Sequence, residues 1–264
     1  MKATKPARGE IALARGVFYR LSSQAFRYPG EGWLAEWDEA ARGVGAALEV
    51  LTSEGSCPGP MHDAFDLAWA SAHDIERLRA DHARLIGHSP RAGATPYGTE
   101  WGGAAGEILQ YHQLADLGGF YRAFGLELSR TCDERVDHLA VELAFLQFLC
   151  LKEAQAEERD LDDLVAAARA GQMKFLGEHV LPWACACGTR LRGLGADGFY
   201  DHAATLLESF LRIERVRFAL QDDDEYALQP RPTSMTLEDC CVSCDRASAC
   251  LEGSAPGQDG HGEG

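Results

Sequence analysis

The chain has 264 residues, of which 46% are hydrophobic and 25% are charged, so it is long enough for one large globular domain or two small ones. Its 25 Lys and Arg residues face 41 Asp and Glu residues, and the formal net charge of −16 disfavours nucleic acid as a partner, because phosphates would be repelled. No segment approaches the ~20 apolar residues of a membrane span, and Glu10 and Arg15 interrupt the region where a secretory signal would lie. We therefore expect a cytoplasmic protein without direct membrane insertion.

Helical periodicity dominates the first 220 residues. Apolar residues recur at spacings of three and four, and we find no convincing alternating strand. The sequence therefore predicts an all-α fold, a single bundle of about eight or nine helices over residues 1–220. The clearest helical patterns cover residues 11–25, 33–51, 61–86, 107–124, 134–158, 161–179 and 198–220.

The last 44 residues, 221–264, have a different composition. They carry ten acidic and two basic residues, and they end in a Gly-rich stretch. We predict an acidic, Cys-rich and flexible C-terminal tail that follows the helical domain.

Four of the nine cysteines, Cys240, Cys241, Cys244 and Cys250, lie within eleven residues of this tail. Their spacing, C-C-x2-C-x5-C, supplies the four thiolates that zinc or a [4Fe–4S] cluster requires. The helical domain needs no cofactor on this reasoning, and the tail is a candidate site for an iron–sulfur cluster or zinc. The alternative is a metal-free tail with reactive thiols.

A Gly- and Pro-rich loop over residues 87–106 interrupts the helical pattern and contains Tyr97 and Trp101. Aromatic residues in a long loop of a helical protein indicate a binding surface. An aromatic plug over the core is an equal alternative.

One group of polar residues stands at the start of the most apolar helix. His138 and Glu142 are four residues apart and share a helix face, and Asp137 lies where an acid complements the helix dipole or caps the helix. Because Asp137 and His138 need not serve the core at this position, we expect alanine substitutions to weaken partner binding more than folding. A metal-dependent enzyme using His138, Glu142 and His179 is a weaker hypothesis, and nucleotide-binding and hydrolase motifs are absent, so we expect no enzymatic activity.

A series of motifs resembles the TorD/DmsD/NarJ-type redox-enzyme maturation chaperones. No single motif is specific, but their order and spacing over residues 10–220 are. They are DHARLIG at 81–87, TPYGTEW at 95–101, FYRAFGL at 120–126, the ungapped DHLAVELAF at 137–145, and FLGEHVLPW at 175–183.

The resemblance implies an all-α chaperone that is not an enzyme. Such proteins bind the twin-arginine leader, and the apo form, of the catalytic subunit of a molybdopterin-dependent oxidoreductase, and they hold it for cofactor insertion, assembly and export. A leader with a basic and then an apolar segment requires acidic groups beside an apolar groove, and Asp137 can pair with a guanidinium. The implied leader- and client-binding residues are Asp81, Leu85, Ile86, Pro96, Tyr97, Gly98, Trp101, Asp137, His138 and Glu142.

An alternative of another class is an iron–sulfur or zinc-binding redox accessory protein that uses the tail cysteines. The two functions are compatible in one chain. The sequence leaves open which molybdoenzyme is the client, whether the chain forms a homodimer as domain-swapped relatives do, and whether guanine nucleotide binds.

Overall fold

The computed structural model describes residues 6–56, 58–87, 93–102, 107–129, 134–221 and 230, with only the backbone described at 107–109. The described residues belong to one compact unit, contain no strand, and confirm the all-α prediction. None of the helices in this described part combines the length and apolar character needed to cross a membrane. The helices are α1 (Arg8–Ala25), α2 (Trp33–Ala41), α3 (Val44–Glu54), α4 (Gly59–Ser71), α5 (Ile75–Leu85), α6 (Glu107–Ala123), α7 (Leu139–Glu158), α8 (Asp162–Phe175), α9 (Leu181–Gly193) and α10 (Phe199–Arg217).

The described helices number ten, more than the eight or nine predicted, partly because two predicted helices are each broken in two. The pattern at 33–51 divides into α2 and α3 at Gly43, where a Cβ would lie 3.2 Å from Cγ2 of Val17. The pattern at 61–86 divides into α4 and α5. The carboxylate of Asp74 accepts a hydrogen bond from the Arg77 N–H at 3.1 Å and so caps α5.

The segment after α8 also differs from the prediction. A π-helical turn (Leu176–Val180) joins α8 to α9, which was not predicted as a separate helix. Pro182 has no N–H to donate to the carbonyl four residues earlier, so regular α-helical bonding is interrupted here. As a result, α9 carries Trp183, Cys185 and Cys187 into the core.

α1 and α7 pack side by side at the centre of the bundle, where Gly9 and Gly16 of α1 face α7. A Cβ on Gly9 would lie 3.6 Å from the Cβ of Glu157, and one on Gly16 would lie 3.5 Å from the Cβ of Cys150. Apolar side chains on both helices are removed from water, which supplies the main driving force for this packing. Those buried side chains include Phe18, Leu21, Leu143, Leu146 and Leu149.

A buried network of charged side chains ties α1 to α7, α8 and α10. Arg15 donates hydrogen bonds to both oxygens of Glu214, at 2.8 Å from Nε and 2.6 Å from Nη2. The same guanidinium donates to Glu153 at 3.1 Å and to Gln172 at 2.5 Å. Because a buried charge is costly unless it is paired, this network favours one arrangement of the four helices.

The predicted tail lies outside the described residues except for residues 221 and 230. Its cysteines, Cys240, Cys241, Cys244 and Cys250, are among the residues left out. The domain boundary and the metal site therefore stay predictions.

Candidate functional site

The candidate site forms where the segment 93–102 crosses the start of α7. The Gly98 N–H donates to the Asp137 carbonyl at 2.9 Å, and the Leu139 N–H donates to the Pro96 carbonyl at 2.8 Å. These backbone bonds place Pro96, Tyr97 and Gly98 beside Asp137 and His138. Two motifs that are about 40 residues apart in the chain are thus neighbours in the fold.

The carboxylate of Asp137 is fully buried and bonded on both oxygens. Thr99 donates to Oδ2 from its N–H at 3.1 Å and from its hydroxyl at 2.7 Å. Arg135 donates to Oδ1 at 2.9 Å and to Oδ2 at 2.8 Å, and its Nη1 donates to Glu100 at 3.0 Å. We call Thr99, Glu100, Arg135 and Asp137 the clamp. Within the clamp, Arg135 compensates the charge of Asp137.

The expectation that Asp137 and His138 need not serve the core is wrong, because both side chains are buried. α7 begins at Leu139 rather than at residue 134, and His138, not Asp137, caps it. The His138 Nδ1 accepts a hydrogen bond from the Ala140 N–H at 3.1 Å. Burial lowers the pKa of His138 to about 4, which keeps the imidazole neutral and able to accept this bond at neutral pH.

Glu142 lies one turn into α7 and is also buried. Its burial, with the negative charge of Asp137 nearby, raises the pKa of Glu142 well above the ordinary value. Gly98 packs directly against this group: a Cβ there would lie 3.2 Å from the Glu142 Oε1 and 2.7 Å from the Trp183 Nε1. Glycine at position 98 therefore lets the loop rest on α7 and α9 together.

Tyr97 and Trp101 are mostly buried, at 8% and 4% exposure. The Trp101 ring stacks on Trp183 with centroids 6.2 Å apart, and its Nε1–H donates to the Thr95 carbonyl at 3.0 Å. The Tyr97 hydroxyl donates to Glu134 at 2.9 Å. The aromatic-plug alternative thus describes the placement of both rings, and the polar groups around them form the outer rim.

Three predicted site residues lie on or just after α5, outside the clamp. Leu85 and Ile86 are buried in the core, and the Leu85 carbonyl accepts a hydrogen bond from the Ala94 N–H at 3.2 Å. Asp81 pairs instead with Arg84 at 3.0 Å and with Arg77 at 3.6 Å. Leu85 therefore supports one end of the loop, whereas Asp81 belongs to a different ion-pair cluster.

The motifs alone do not reveal the hydrogen-bond partners of Asp137. Arg135 compensates its charge, Thr99 donates hydrogen bonds to it, and Gln110 extends the cluster by donating to the Glu100 carboxylate at 2.7 Å. A signal in the sequence is the charged pair Glu134 and Arg135, which is separated from the motif at 137–145 by one residue, Val136.

The part of the chain that the structure describes holds no group of three His, Cys, Asp or Glu side chains able to bind a metal ion. His138, Glu142 and His179 therefore do not form a metal site, and His179 lies 3.6 Å from Asp116 instead. Burial raises the pKa of Cys187 to about 12, which disfavours the thiolate that a metal would need.

Comparisons with known proteins find one matching protein family and several similar chaperones. The model of the family described as nitrate reductase delta subunit matches residues 38–187. The chaperone protein TorD of Vibrio cholerae is 31% identical over 141 residues, which cover 52% of this chain and 60% of that protein. The chaperone protein TorD of Photobacterium profundum is 26% identical over 137 residues, covering 52% of this chain and 62% of that protein.

A third similar protein is the perchlorate reductase assembly chaperone protein of Dechloromonas aromatica. It is 33% identical over 109 residues, which cover 40% of this chain and 48% of that protein. The chain spans about 60% of the length of the TorD relatives that it matches. No solved structure matches it significantly.

Proposed function

The chain belongs to the nitrate reductase delta subunit family, and from this membership we propose that it is a cytoplasmic chaperone without enzymatic activity. Its client is the catalytic subunit of a molybdopterin-dependent oxidoreductase. The chain binds the twin-arginine leader and the apo form of that subunit, and it holds them for cofactor insertion, assembly and export. The names of the TorD chaperones and of the perchlorate reductase assembly chaperone support this class of client.

The observation that carries the proposal is the family match over residues 38–187, which contains the whole clamp. The clamp fixes the segment 93–102 against α7 through hydrogen bonds among Thr99, Glu100, Arg135 and Asp137. A loop that is held rigidly by buried polar groups keeps the groups at its edge preorganised for recognition, because little conformational entropy is lost when a partner binds.

The partly exposed rim, formed by Glu100 of the clamp and the neighbouring Glu134, supplies the groups that a basic leader would contact. Glu100 and Glu134 keep 19% and 30% of their side-chain surface exposed, and either can form charge-assisted hydrogen bonds with a leader arginine. Asp137, His138 and Glu142 lie beneath this rim and act as positioning residues. The net charge of −16 speeds the encounter with a basic peptide.

Calorimetry of the full-length chain against twin-arginine leader peptides tests the proposal, with twin-lysine peptides as controls. We expect the twin-arginine leader to bind more tightly than the twin-lysine control. We also expect added salt to weaken the binding, because carboxylates of the chain pair with the leader arginines. No binding to any leader in a panel, or equal binding of both kinds of leader, would contradict this proposal.

A matched pair of variants locates the contact. Glu134→Gln keeps an acceptor for the Tyr97 hydroxyl but removes the charge, so we expect roughly tenfold weaker leader binding. Glu31→Gln removes an exposed charge that lies outside the clamp and should leave the affinity unchanged. Equal affinities of the two variants for the leader would show that the leader binds somewhere other than the clamp rim.

A further inference from the structure

A groove between α1 and α7 lies far from the clamp. It is lined by residues from the first two turns of α1 and the last two turns of α7, and its volume is about 430 Å³. The clamp adjoins the other end of α7, and Leu151, where the groove begins, lies 12 residues or ~18 Å along the helix axis from Leu139. Leu13 and Leu151 form the apolar floor of the groove and are 49% and 39% exposed, beside the buried Ala154.

Carboxylates outnumber cationic groups along the groove. Among the described residues that line it, Glu10, Glu157 and Glu158 are acidic and Arg8 is basic. Glu10 also accepts a hydrogen bond from the Ala7 N–H at 2.8 Å, which stabilises the start of α1.

Glu157 and Glu158 have no such local role in their helix. They stand in the last turn of α7, which contains no basic residue, and the helix dipole disfavours acids at a C-terminal end. A cationic group that docks in the groove would compensate these charges.

We infer that this groove is a second docking surface, for a helical segment that has an apolar face and a basic end. A groove between two packed helices with an apolar floor suits an amphipathic helix, whose side chains at spacings of three and four would cover Leu13 and Leu151. The carboxylates fix the direction of that helix by pairing with its basic end. The segment belongs to the client subunit, and this assignment rests on the proposed function.

The probe is a synthetic amphipathic peptide of about 18 residues, or five helical turns, with arginines at one end. A scrambled peptide of the same composition lacks the apolar face. Fluorescence anisotropy against the full-length chain at physiological salt measures both affinities. We expect the amphipathic peptide to bind at least about tenfold more tightly than the scrambled one, and equal binding would overturn the inference.

The variant Leu151→Glu distinguishes docking in the groove from general electrostatic attraction of the peptide to an acidic protein. It removes part of the apolar floor and adds a negative charge, so docking in the groove predicts about tenfold weaker binding, whereas charge attraction alone predicts unchanged or tighter binding. The matched control is Leu164→Glu, which replaces a 57% exposed leucine of α8 that does not line the groove. Loss of affinity in both variants, or in neither, would overturn the inference. Circular-dichroism melts show that each variant is folded.

The double variant Glu157→Gln, Glu158→Gln tests the basic end. It should weaken the binding of the arginine-bearing peptide. The affinity for a peptide with glutamine in place of those arginines should stay unchanged. An equal effect on both peptides would contradict the predicted charge pairing.

Capture of the natural client distinguishes failure of this inference from failure of the proposed function. If the tagged wild-type chain and its Leu151→Glu variant retain a molybdoenzyme subunit equally, the second docking surface is refuted and the proposed function stands. If the wild-type chain retains none, the proposed function fails, and the peptide affinities alone decide whether the groove binds a helix.

Discussion

Asp137 is a buried carboxylate that accepts hydrogen bonds from Arg135 and Thr99. Loss of the carboxylate leaves a partly buried guanidinium and a buried hydroxyl without their shared acceptor. A broken buried pair costs more than the intact pair contributes, because the remaining charge has already been removed from water. Asp137 therefore holds the loop 93–102 in position through Thr99.

We predict that Asp137→Ala lowers the free energy of unfolding by about 3 kcal/mol. Asp63→Ala, at a side chain that is 87% exposed on α4, should change it by less than about 0.5 kcal/mol. Urea unfolding of both variants beside wild type measures the difference. A urea unfolding curve of Asp137→Ala that matches wild type would show that the clamp does not contribute to the stability of the fold.

Glu142 makes stability depend on pH in a direction unusual for a carboxylate. Its pKa is raised in the folded state by burial, so its contribution to stability is complete below the unfolded pKa near 4.5 and is lost as the pH rises through the folded value. We predict that Glu142→Gln, which cannot ionise, gains stability relative to wild type as the pH rises above the unfolded pKa of Glu142. If the free energies of unfolding of the two proteins change with pH in parallel, this prediction is contradicted.

His138 is the control of opposite sign for that experiment. Its folded pKa of about 4 lies below the ordinary 6.5, so its contribution is complete above pH 6.5 and is lost as the pH falls through 4. In His138→Gln the acid side of the stability curve should flatten while the alkaline side keeps its slope.

The sequence could predict which motifs meet but not how they are buried. The resemblance grouped Pro96, Tyr97 and Gly98 with Asp137, and backbone hydrogen bonds join these segments. The burial of Asp137 depends on hydrogen bonds from Thr99, 38 residues earlier in the chain, and from Arg135, two residues earlier. Such pairing follows from tertiary geometry, which helical periodicity does not encode.

At the scale of elements, apolar spacing located the helices better than their ends. α3 and α5 begin after local signals, the glycine at 43 and the capping residue Asp74, but the longer apolar patterns continue across both breaks. α9 was missed because Pro182 ordinarily marks the end of a helix, whereas here it stands in the first turn of one. The patterns therefore fixed the fold class, and tertiary packing decided where helices break.

Two helical glycines give a matched test of this packing. A Cβ at Gly171 of α8 would lie 2.5 Å from Cζ of Phe124, whereas a Cβ at Gly119 of α6 would meet nothing within 4 Å. We predict that Gly171→Ala destabilises the protein by roughly 1–3 kcal/mol, because the ring must move. Gly119→Ala should stabilise it by roughly 0.5–1 kcal/mol through helix propensity. Thermal melts check both, and shifts of the same sign would contradict the packing of α8 on Phe124.

At the scale of the whole molecule, the order and spacing of several weak motifs identified the family, and the family match confirms that assignment. The acidic charge extends into the tail, whose cysteines the family pattern does not explain. The tail and the chaperone body therefore call for separate tests.

We predict that the cysteines of the tail bind iron or zinc. The full-length chain, purified without oxygen, should contain metal, and a chain that ends at Glu238 should not, because Cys240, Cys241, Cys244 and Cys250 are then absent. Metal analysis and a visible spectrum measure this difference. Negligible iron and zinc in both proteins would refute the site, and unchanged leader binding after loss of metal would make it an accessory to the chaperone body.

The central claim is that the chain holds an immature molybdoenzyme subunit. Its most direct test is purification of the tagged full-length chain from its host, followed by mass spectrometry of the bound proteins. The account predicts one predominant partner, a molybdopterin-dependent catalytic subunit that still carries its twin-arginine leader and lacks its cofactor. Recovery of the chain without any such subunit, under conditions in which the host produces the enzyme, would contradict the account.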